Sequence, residues 1–481
     1  MKDLAERALN VAALRGAGYA DVRVVERRQE QLQVKNGRLE ALAQREDAGF
    51  GVRVLADGAW GFAASARLTA ADVERVAALA VQIARASARV RTEGVQLGAP
   101  FVARGQYRTP MAQDPFARPL DEKVALLLAA DAAMRQVPGV TVTRASAEFI
   151  RERKLFASSE GSLVEQEIIE SGAGLEAIAV QGDEIQQRSY PNSFGRQQGT
   201  AGYEYVEAMD LVGNAPRVAE QAVQLLSAKP CPPDQLATVI LDATQVALQV
   251  HESCGHAVEL DRVFGDEASY AGTSFLTVDT LGALRYGSQH VTITADATLP
   301  TGLGTFGYDD EGVPAQRVAL VEQGRFVGYL TSRETAARLG QRSNGCMRAD
   351  SWAHLPLIRM TNINLELGDW RLADLIADTD DGLYMETNRS WSIDDRRLSF
   401  QFGTEIAWEI RGGKLGAMVK NATYAGVTPR FWASCDAVCG RDDWHVWGVT
   451  NCGKGQPPQV AHVGHGAAPA RFRNVRVGLL R

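Results

Sequence analysis

Two histidines five positions apart, His251 and His256, constrain the local fold of this chain more than any other feature of its sequence. Successive residues of a regular α-helix are rotated by about 100°, so position i+5 lies about 140° around the helix from position i. The two imidazoles of a regular helix would therefore point apart. They can face one side only if the helix widens locally into a π-turn, a distortion that Gly255 makes easier. Otherwise the spacing is accidental.

The residues around this pair suggest metal chemistry. The order His251-Glu252 followed by His256 is similar to the short zinc motif in which two helical histidines bind the metal and the glutamate acts as general base. A third ligand is then needed. Glu259, three residues after His256 on the same helical face, is one candidate. Cys452 is another, since Lys454 and the surrounding glycines would lower its pKa, and zinc accepts two imidazoles and one thiolate.

A second cysteine-rich group offers an alternative metal site. Cys435, Cys439, His445 and Cys452 could form a closed Cys3His structural zinc site, although their spacings match no common zinc knuckle. Cys254, inside the histidine motif, is expected to be a small buried residue.

Composition excludes several classes of protein. The chain has 481 residues, of which 45% are hydrophobic and 23% charged, which is typical of a folded globular protein. A net charge of −7 and the lack of a long Lys/Arg block argue against nucleic-acid binding. No run of about 20 apolar residues and no leader peptide are present, so we expect no membrane association and a cytoplasmic location. The six cysteines are then expected to be thiols or metal ligands.

Hydrophobic periodicity predicts a helix- and strand-rich first half. Hairpin turns are indicated at Asn36-Gly37 and Asp57-Gly58. Proline, glycine and little periodicity over 91–119 predict a long surface loop. Helices are expected at the start of the chain and over 69–90, 120–136 and 208–227, with strands filling 140–206.

Cys231-Pro232-Pro233 is interpreted as a linker, which divides the chain into domains 1–230 and 231–481. In the second part we expect a buried strand over 236–241, a helix over about 243–260, and mostly strands thereafter.

Seven blocks of sequence carry a resemblance to a known family. They are Gly51-Val52-Arg53-Val54, Gly61-Phe62-Ala63, the nine residues from His251 to Glu259, Asp309-Asp310-Glu311-Gly312-Val313-Pro314, Ala353-His354-Leu355-Pro356, Arg359-Met360-Thr361-Asn362 and Cys452-Gly453-Lys454-Gly455-Gln456. On these blocks the chain resembles the TldD/PmbA family of zinc metallopeptidases, in its catalytic, TldD-like branch.

The resemblance implies a site and a fold. It implies that His251, His256 and Cys452 bind Zn²⁺, that Glu252 is the base, and that the widened helix is a property of the family. It also implies an α+β fold. An N-terminal α/β domain with antiparallel strands and helices would precede a C-terminal, β-rich, barrel-like domain that carries the metal-binding helix.

The resemblance further implies a peptidase that cleaves unfolded or post-translationally modified peptides, as a homodimer or a heterodimer with a PmbA-like inactive subunit. The alternative is a non-catalytic, peptide-binding subunit that stabilises a partner peptidase. A peptide-modifying enzyme that does not cleave is a third hypothesis.

Roles for several other polar residues stay open at this point. Through its block, His354 is a candidate to stabilise the anion formed during catalysis; alternatively it is hydrogen-bonded and only shapes the site. Asp309, Asp310 and Glu311 would either orient a metal-binding histidine or form a solvated turn. His462 and His465 match no family role.

Overall fold

The structure is a computed structural model that describes residues 1–478. It contains two eight-stranded sheets, one formed mainly by each half of the chain, and smaller sheets in the second half. Across the described residues, none of the helices has the length and apolar character needed to cross a membrane.

The helices and strands have the following bounds. The helices are α1 (Lys2–Leu14), α2 (Ala70–Ala88), α3 (Leu120–Arg135), α4 (Glu204–Glu207), α5 (Leu211–Leu226), α6 (Ala243–Val250), α7 (Leu260–Phe264), α8 (Arg333–Arg338), α9 (Leu372–Ala377) and α10 (Thr428–Ala433). The strands of the first half are β1 (Tyr19–Lys35), β2 (Arg38–Ala56), β3 (Ala59–Ser65), β4 (Arg104–Arg108), β5 (Val140–Ser158), β6 (Leu163–Gln181), β7 (Glu184–Tyr190) and β8 (Gln197–Gly199). Those of the second half are β9 (Lys229–Pro230), β10 (Gln235–Leu241), β11 (Ile293–Asp296), β12 (Arg317–Glu322), β13 (Arg325–Phe326), β14 (Met347–Arg348), β15 (Leu357–Ile358), β16 (Ile363–Leu365), β17 (Asp381–Ile393), β18 (Ser399–Arg411), β19 (Lys414–Lys420), β20 (Thr423–Val427), β21 (Cys435–Val438), β22 (His445–Lys454), β23 (Gln459–Ala467) and β24 (Ala470–Val477).

The first sheet is built from long antiparallel hairpins in the order β3-β2-β1-β5-β6-β4, with β7 and β8 also paired to β6. The predicted turn at Asn36-Gly37 is confirmed: both residues have positive φ, 48° and 79°, as a tight two-residue hairpin requires. Helices α1 and α2 pack on β1–β3, and α3 and α5 pack on β5 and β6. These helices bury one face of the sheet.

The prediction of a long loop over 91–119 is wrong in its centre. Residues 104–108 form β4, which pairs in parallel with β6 at the edge of the sheet. The strand is five residues long and alternates exposed with partly buried residues, so it carries too little hydrophobic periodicity to be recognised from sequence.

The second sheet closes on itself. Its strands follow the order β17-β10-β24-β20-β18, and β17 also pairs with β18. The result is a five-stranded barrel filled with aromatic side chains, among them Phe431 and Phe472, which stack with ring centroids 4.2 Å apart. The α+β fold with a barrel-like second part is therefore confirmed.

Strand β9 pairs with β19 of the second sheet, and the backbone N–H of Cys231 donates to the Lys420 carbonyl at 3.0 Å. The segment interpreted as a linker is thus fastened to the second sheet. The division of the chain into domains at residue 230 stays a prediction.

Buried ion pairs join the two halves of the chain. Asp310 accepts from Lys154 of β5 at 2.8 Å, and Arg53 of β2 lies 3.2 Å from Glu311. Asp309 accepts hydrogen bonds from backbone N–H groups, including that of Met347 at 3.0 Å. The three acidic residues are almost completely buried. The solvated turn is therefore wrong, and their partners are cations and backbone amides of the two halves rather than a metal-binding histidine.

Candidate metal centre

The helix that carries the two histidines widens where the sequence predicts. Helix α6 ends at Val250 and continues as a π-helix over His251–Gly255. The backbone N–H of His256 donates to the His251 carbonyl at 3.2 Å, the i to i+5 bond of a π-turn. As a result the two imidazoles lie side by side, with ring centroids 4.9 Å apart. The helix expected over about 243–260 is confirmed as far as Gly255, but residues 256–259 are not helical and α7 begins only at Leu260.

Gly255 has a second role that its conformational freedom does not explain. A Cβ atom at this position would lie 2.3 Å from the Met360 sulfur, a distance that real Cβ atoms do not tolerate. The π-turn therefore packs directly on the residues that follow β15.

Strand β22 brings Cys452 to the same place. One ligand atom each from His251, His256 and Cys452 lies within 4.8 Å of the others, and all three residues are buried. The Cys452 sulfur is 3.5 Å from Nε2 of His256. In the part of the chain that the structure describes, this is the one group of at least three His, Cys, Asp or Glu side chains close enough to hold a metal ion.

His465 of β23 fixes the orientation of His251. Nδ1 of His465 lies 3.1 Å from the Ile363 carbonyl, and its Nε2 lies 2.8 Å from Nδ1 of His251. Because a carbonyl can only accept, His465 carries its proton on Nδ1, and its Nε2 accepts from His251. Nε2 of His251 is left as the nitrogen with a lone pair.

Glu259 does the same for His256. Its Oε2 accepts from Nδ1 of His256 at 3.1 Å and lies 3.3 Å from Nζ of Lys454. Burial alone would raise the pKa of Glu259, but Lys454, His256 and Arg262 outweigh it and hold that pKa well below its usual value. Glu259 is therefore an ionised acceptor for His256, and the sequence-based hypothesis that it is the third ligand is wrong.

Cys452 has a lowered pKa, as predicted, but the responsible cation differs. Burial opposes ionisation of the thiol, while His256 and Arg359 outweigh it and lower the pKa. Arg359 also donates to the Cys452 carbonyl. Lys454, the cation expected from sequence, instead places Nζ 2.7 Å from Asp261.

Glu252 lies beside the three residues in a cavity of about 470 Å³. Its Oε2 accepts from Nη1 of Arg397 at 2.8 Å. Arg397 belongs to the connection between β17 and β18, and burial lowers its pKa. The cavity is completed by residues 192–196 of the first half and 448–453 of β22.

Several predicted site residues lie elsewhere. His354 is not among the residues that line this cavity. Its Nδ1 is 2.9 Å from the Ser351 hydroxyl, and its carbonyl accepts from Arg23. This arrangement corresponds to the alternative in which hydrogen bonds satisfy the side chain. His462 is 2.6 Å from Glu170 of β6, so it joins the two halves.

The closed Cys3His site is wrong. The Cys435 sulfur faces the Ala437 carbonyl, and burial raises the pKa of Cys435 and of Cys439 to about 12. His445 is exposed at the start of β22, whereas Cys452 is buried near the other end of the same strand. The group does not converge on one point.

Sequence reasoning missed three residues that act on this site: His465, Arg359 and Arg397. His465 and Arg397 stand in no recognisable motif. Arg359 lies within one of the family blocks, which is a signal that it has a role. The sequence around it does not indicate that its partner is Cys452.

Comparison with known proteins agrees with this geometry. Sequence models described as PmbA/TldA metallopeptidase domain 1, central domain and C-terminal domain match residues 20–84, 113–229 and 234–478. A metalloprotease of Methanothermobacter thermautotrophicus is 32% identical over 96% of this chain and 95% of its own. A metalloprotease TldD homolog of Haemophilus influenzae is 27% identical over 98% and 94%.

The fold has relatives among solved structures. A crystal structure from Thermotoga maritima superposes with a TM-score of 0.80 at 18% identity, covering 99% of both chains. This likeness supports the fold. The family that the sequence blocks indicate is confirmed by the matched sequence models and the 32%-identical relative. The chain belongs to the PmbA/TldD family of metallopeptidases.

Proposed function

We propose that the chain is a zinc-dependent peptidase that cleaves unfolded or post-translationally modified peptides, with Glu252 as the general base. The observation that carries this proposal is the convergence of His251, His256, Cys452 and Glu252 on one cavity. A buried carboxylate next to three potential metal ligands is the arrangement that metal-assisted hydrolysis requires.

The residues present fit a zinc ion. Zinc bonds of about 2.0–2.3 Å in tetrahedral geometry place neighbouring N and S ligands about 3.5 Å apart, which is the separation of Nε2 of His256 from the Cys452 sulfur. His465 and Glu259 each bond to Nδ1 of an imidazole and so leave both Nε2 atoms as ligands. Two imidazoles and one thiolate suit zinc and leave its fourth position open.

The chain's own residues then have distinct tasks. A zinc ion held by His251, His256 and Cys452 would supply Lewis acidity: it would polarise the peptide carbonyl and lower the pKa of a water molecule towards neutral pH. The Glu252 carboxylate accepts the proton from the attacking water and delivers it to the leaving amine nitrogen. Arg397 holds Glu252 at 2.8 Å, and its charge faces the same cavity, where it would stabilise the developing anion in place of His354.

The shape of the cavity supports an extended substrate. It lies between residues 192–196 of the first half and 448–453 of the second, and β22 offers strand backbone along one wall. An extended peptide can enter such a cleft and pair with a strand edge. A folded domain would first have to open, at a cost of up to about 5–15 kcal/mol.

The proposal is tested with three variants loaded with zinc: Glu252→Gln, Cys452→Ser and, as control, Cys231→Ser, which changes a cysteine outside the cavity. Metal is measured by plasma mass spectrometry, and cleavage by mass spectrometry of a small domain offered folded and, as a destabilised variant, unfolded. We expect about one zinc per chain in the wild type, the control and Glu252→Gln, and little in Cys452→Ser. Glu252→Gln should cleave at least about 100-fold more slowly, and only the unfolded domain should be cut.

Three outcomes would contradict parts of this proposal. Full zinc content in Cys452→Ser excludes that thiolate as a ligand. Wild-type rates in Glu252→Gln remove the base role. Zinc-loaded wild-type protein that binds unfolded chains without cutting them would favour the non-catalytic, peptide-binding subunit.

A further inference from the structure

One wall of the metal cavity is apolar and carries two large, half-exposed aromatic rings. Phe194 is 52% exposed and Trp391 is 42% exposed, and both line the same cavity as Glu252. Leu248 and Ile393 extend this wall. Large apolar side chains at a concave surface mark a place where an apolar ligand group is held.

The two rings come from distant parts of the chain. Phe194 lies in the connection between β7 and β8, whereas Trp391 is near the end of β17. Their centroids are 5.8 Å apart and their planes are inclined by 67°, an edge-to-face contact of the kind that stabilises aromatic pairs. The contact holds both rings at the cavity instead of in either hydrophobic core.

Phe194 is held there against its own backbone preference. Its φ is 61° and its ψ is 23°, the left-handed region, which is a genuine outlier for a bulky residue. Such a conformation is strained and persists only where the surroundings impose it. Glycine would adopt this conformation without strain, whereas phenylalanine adds an apolar ring to the cavity lining.

Asn192 ties this connection to the strand that carries Cys452. Its Oδ1 accepts from the backbone N–H of Ser193 at 2.8 Å, and its Nδ2 donates to the Gly448 carbonyl of β22 at 3.3 Å. The position of Phe194 relative to the metal ligands is therefore set by direct bonds.

The cations of the cavity define which side chain the rings can hold. Arg397 is paired with Glu252, and Arg196 lies 3.1 Å from Glu148. Glu252 is the one carboxylate among the described residues that line the cavity, and Arg397 already pairs with it. A lysine or arginine side chain, which aromatic rings alone would accept, therefore finds no free anionic partner there.

We propose that Phe194 and Trp391 form an apolar subsite that holds an aromatic or branched aliphatic side chain of the peptide next to the bond to be cleaved. The inference rests on the proposed peptidase function and adds a substrate preference to it. The two rings make contact with the substrate and not with the reacting atoms. They are thus specificity residues of the cavity, and cleavage sites cluster near apolar residues.

The test uses the zinc-loaded full chain and four short, unstructured peptides that differ only in a central Phe, Leu, Ala or Lys. We expect kcat/KM for the Phe and Leu peptides to exceed that for the Ala peptide by about 10- to 100-fold, with the Lys peptide no better than Ala. In Phe194→Ala and Trp391→Ala the ratio of Phe to Ala falls towards one, mainly through KM. Trp391→Phe restores most of the ratio, and Leu415→Ala, which removes an apolar side chain of similar exposure outside the cavity, keeps it.

A binding measurement separates this inference from the proposed function. In a Glu252→Gln background, the Kd of a fluorescein-labelled Phe peptide is measured by anisotropy, with and without Phe194→Ala. A weakening of about tenfold on removal of the ring supports the subsite. If, in addition, the zinc-loaded wild type cleaves none of the peptides, the peptidase proposal is overturned while the subsite stands. Equal cleavage of all four peptides, or a preference for Phe that survives in both ring variants, overturns the subsite and leaves the peptidase proposal intact.

Discussion

The proton positions on the two histidines depend on residues that do not touch the candidate metal position. His465 accepts from His251 and is itself fixed by the Ile363 carbonyl. Burial and the neighbouring imidazole hold the pKa of His465 well below its usual value, so the ring stays neutral and its Nε2 remains an acceptor. A neutral His465 that accepts this hydrogen bond therefore selects the tautomer of His251 that carries its proton on Nδ1.

We predict that His465→Leu weakens zinc binding by about 10- to 100-fold, because second partners of metal-binding histidines contribute that much to affinity. His465→Gln, which keeps an acceptor, should lose less. The measurement is the zinc Kd by competition with a chromophoric chelator, with the exposed His445→Gln as control. An unchanged zinc Kd in a folded His465→Leu protein would show that the hydrogen bond between His465 and His251 has no influence on metal binding.

At this scale the sequence predicted the residues that converge but not the residues that orient them. His251, His256 and Cys452 stand in recognisable motifs, whereas His465 reaches His251 only because β23 packs against α6 and the π-turn that follows it. Long-range register cannot be read from spacing. The same limit explains why the sequence indicates Lys454, two residues after Cys452, as the cation that lowers the pKa of the thiol, whereas the structure places Arg359 there.

The π-turn between α6 and α7 is the element on which the site depends. It turns His256 towards His251, and it packs Gly255 against Met360 without room for a side chain. A regular helix over the same residues would separate the ligands.

We predict that Gly255→Ala lowers the free energy of unfolding by about 1–3 kcal/mol, the usual cost of overpacking, because the added methyl group displaces either the buried Met360 side chain or the π-turn. A shift of the turn would also move His256 and lower zinc affinity. Gly453→Ala is the matched control, since it too lies next to a candidate ligand but a Cβ there meets nothing within 4 Å. Urea unfolding and zinc titration measure the two effects. If Gly255→Ala and Gly453→Ala had the same free energy of unfolding and the same zinc affinity, the close contact between Gly255 and Met360 would not matter for stability or for metal binding.

Elements with strong periodicity or turn signals were predicted well, as the β1–β2 hairpin shows. Those decided by tertiary pairing were not. Strand β4 exists because β6 offers an edge, and the helix after β10 divides at the π-turn and again before Leu260. The barrel followed from family resemblance and not from local pattern.

Across the whole molecule, buried ion pairs hold the two halves in one relative position. Asp310 faces both Lys154 and Arg23. Burial alone would raise the pKa of Asp310, but the two cations outweigh it and lower that pKa. A carboxyl group with a depressed pKa in the folded state stabilises the fold above its unfolded pKa of about 3.9, and this stabilisation is lost as the pH falls through the folded value.

We predict that Asp310→Asn lowers the free energy of unfolding at pH 7 by about 3–5 kcal/mol, because it removes the carboxylate that pairs with the buried Arg23 and Lys154. The difference from wild type should begin to shrink below about pH 4, where the carboxyl group of the unfolded chain takes up a proton, and should vanish once the pH falls below the lowered pKa of the folded state. Asp381→Asn removes an exposed ion pair with Arg411 and should change stability by less than about 1 kcal/mol. Urea unfolding at pH 7 and below about pH 4 measures the free energy of unfolding of each variant. A difference between Asp310→Asn and wild type that stays constant with pH would contradict the prediction.

The overall fold class could be predicted from sequence, but the contact between the halves could not. Asp309, Asp310 and Glu311 have the composition of a surface turn, and only the packing of the first sheet against them makes them buried. The homodimer or heterodimer that the resemblance implies stays a prediction.

The pairing of β10 with β24 has a consequence for biosynthesis. Gln235 lies opposite Val477, so the first strand of the barrel cannot pair with β24 until all the intervening residues have been synthesised. Contacts between residues so far apart in sequence form late and slowly. Cys452 is translated long after His251, and its strand β22 pairs with β23, which follows it in the sequence. A nascent chain of this metallopeptidase therefore lacks its assembled centre until Cys452 has been translated, and a message truncated before that codon yields a chain without the centre.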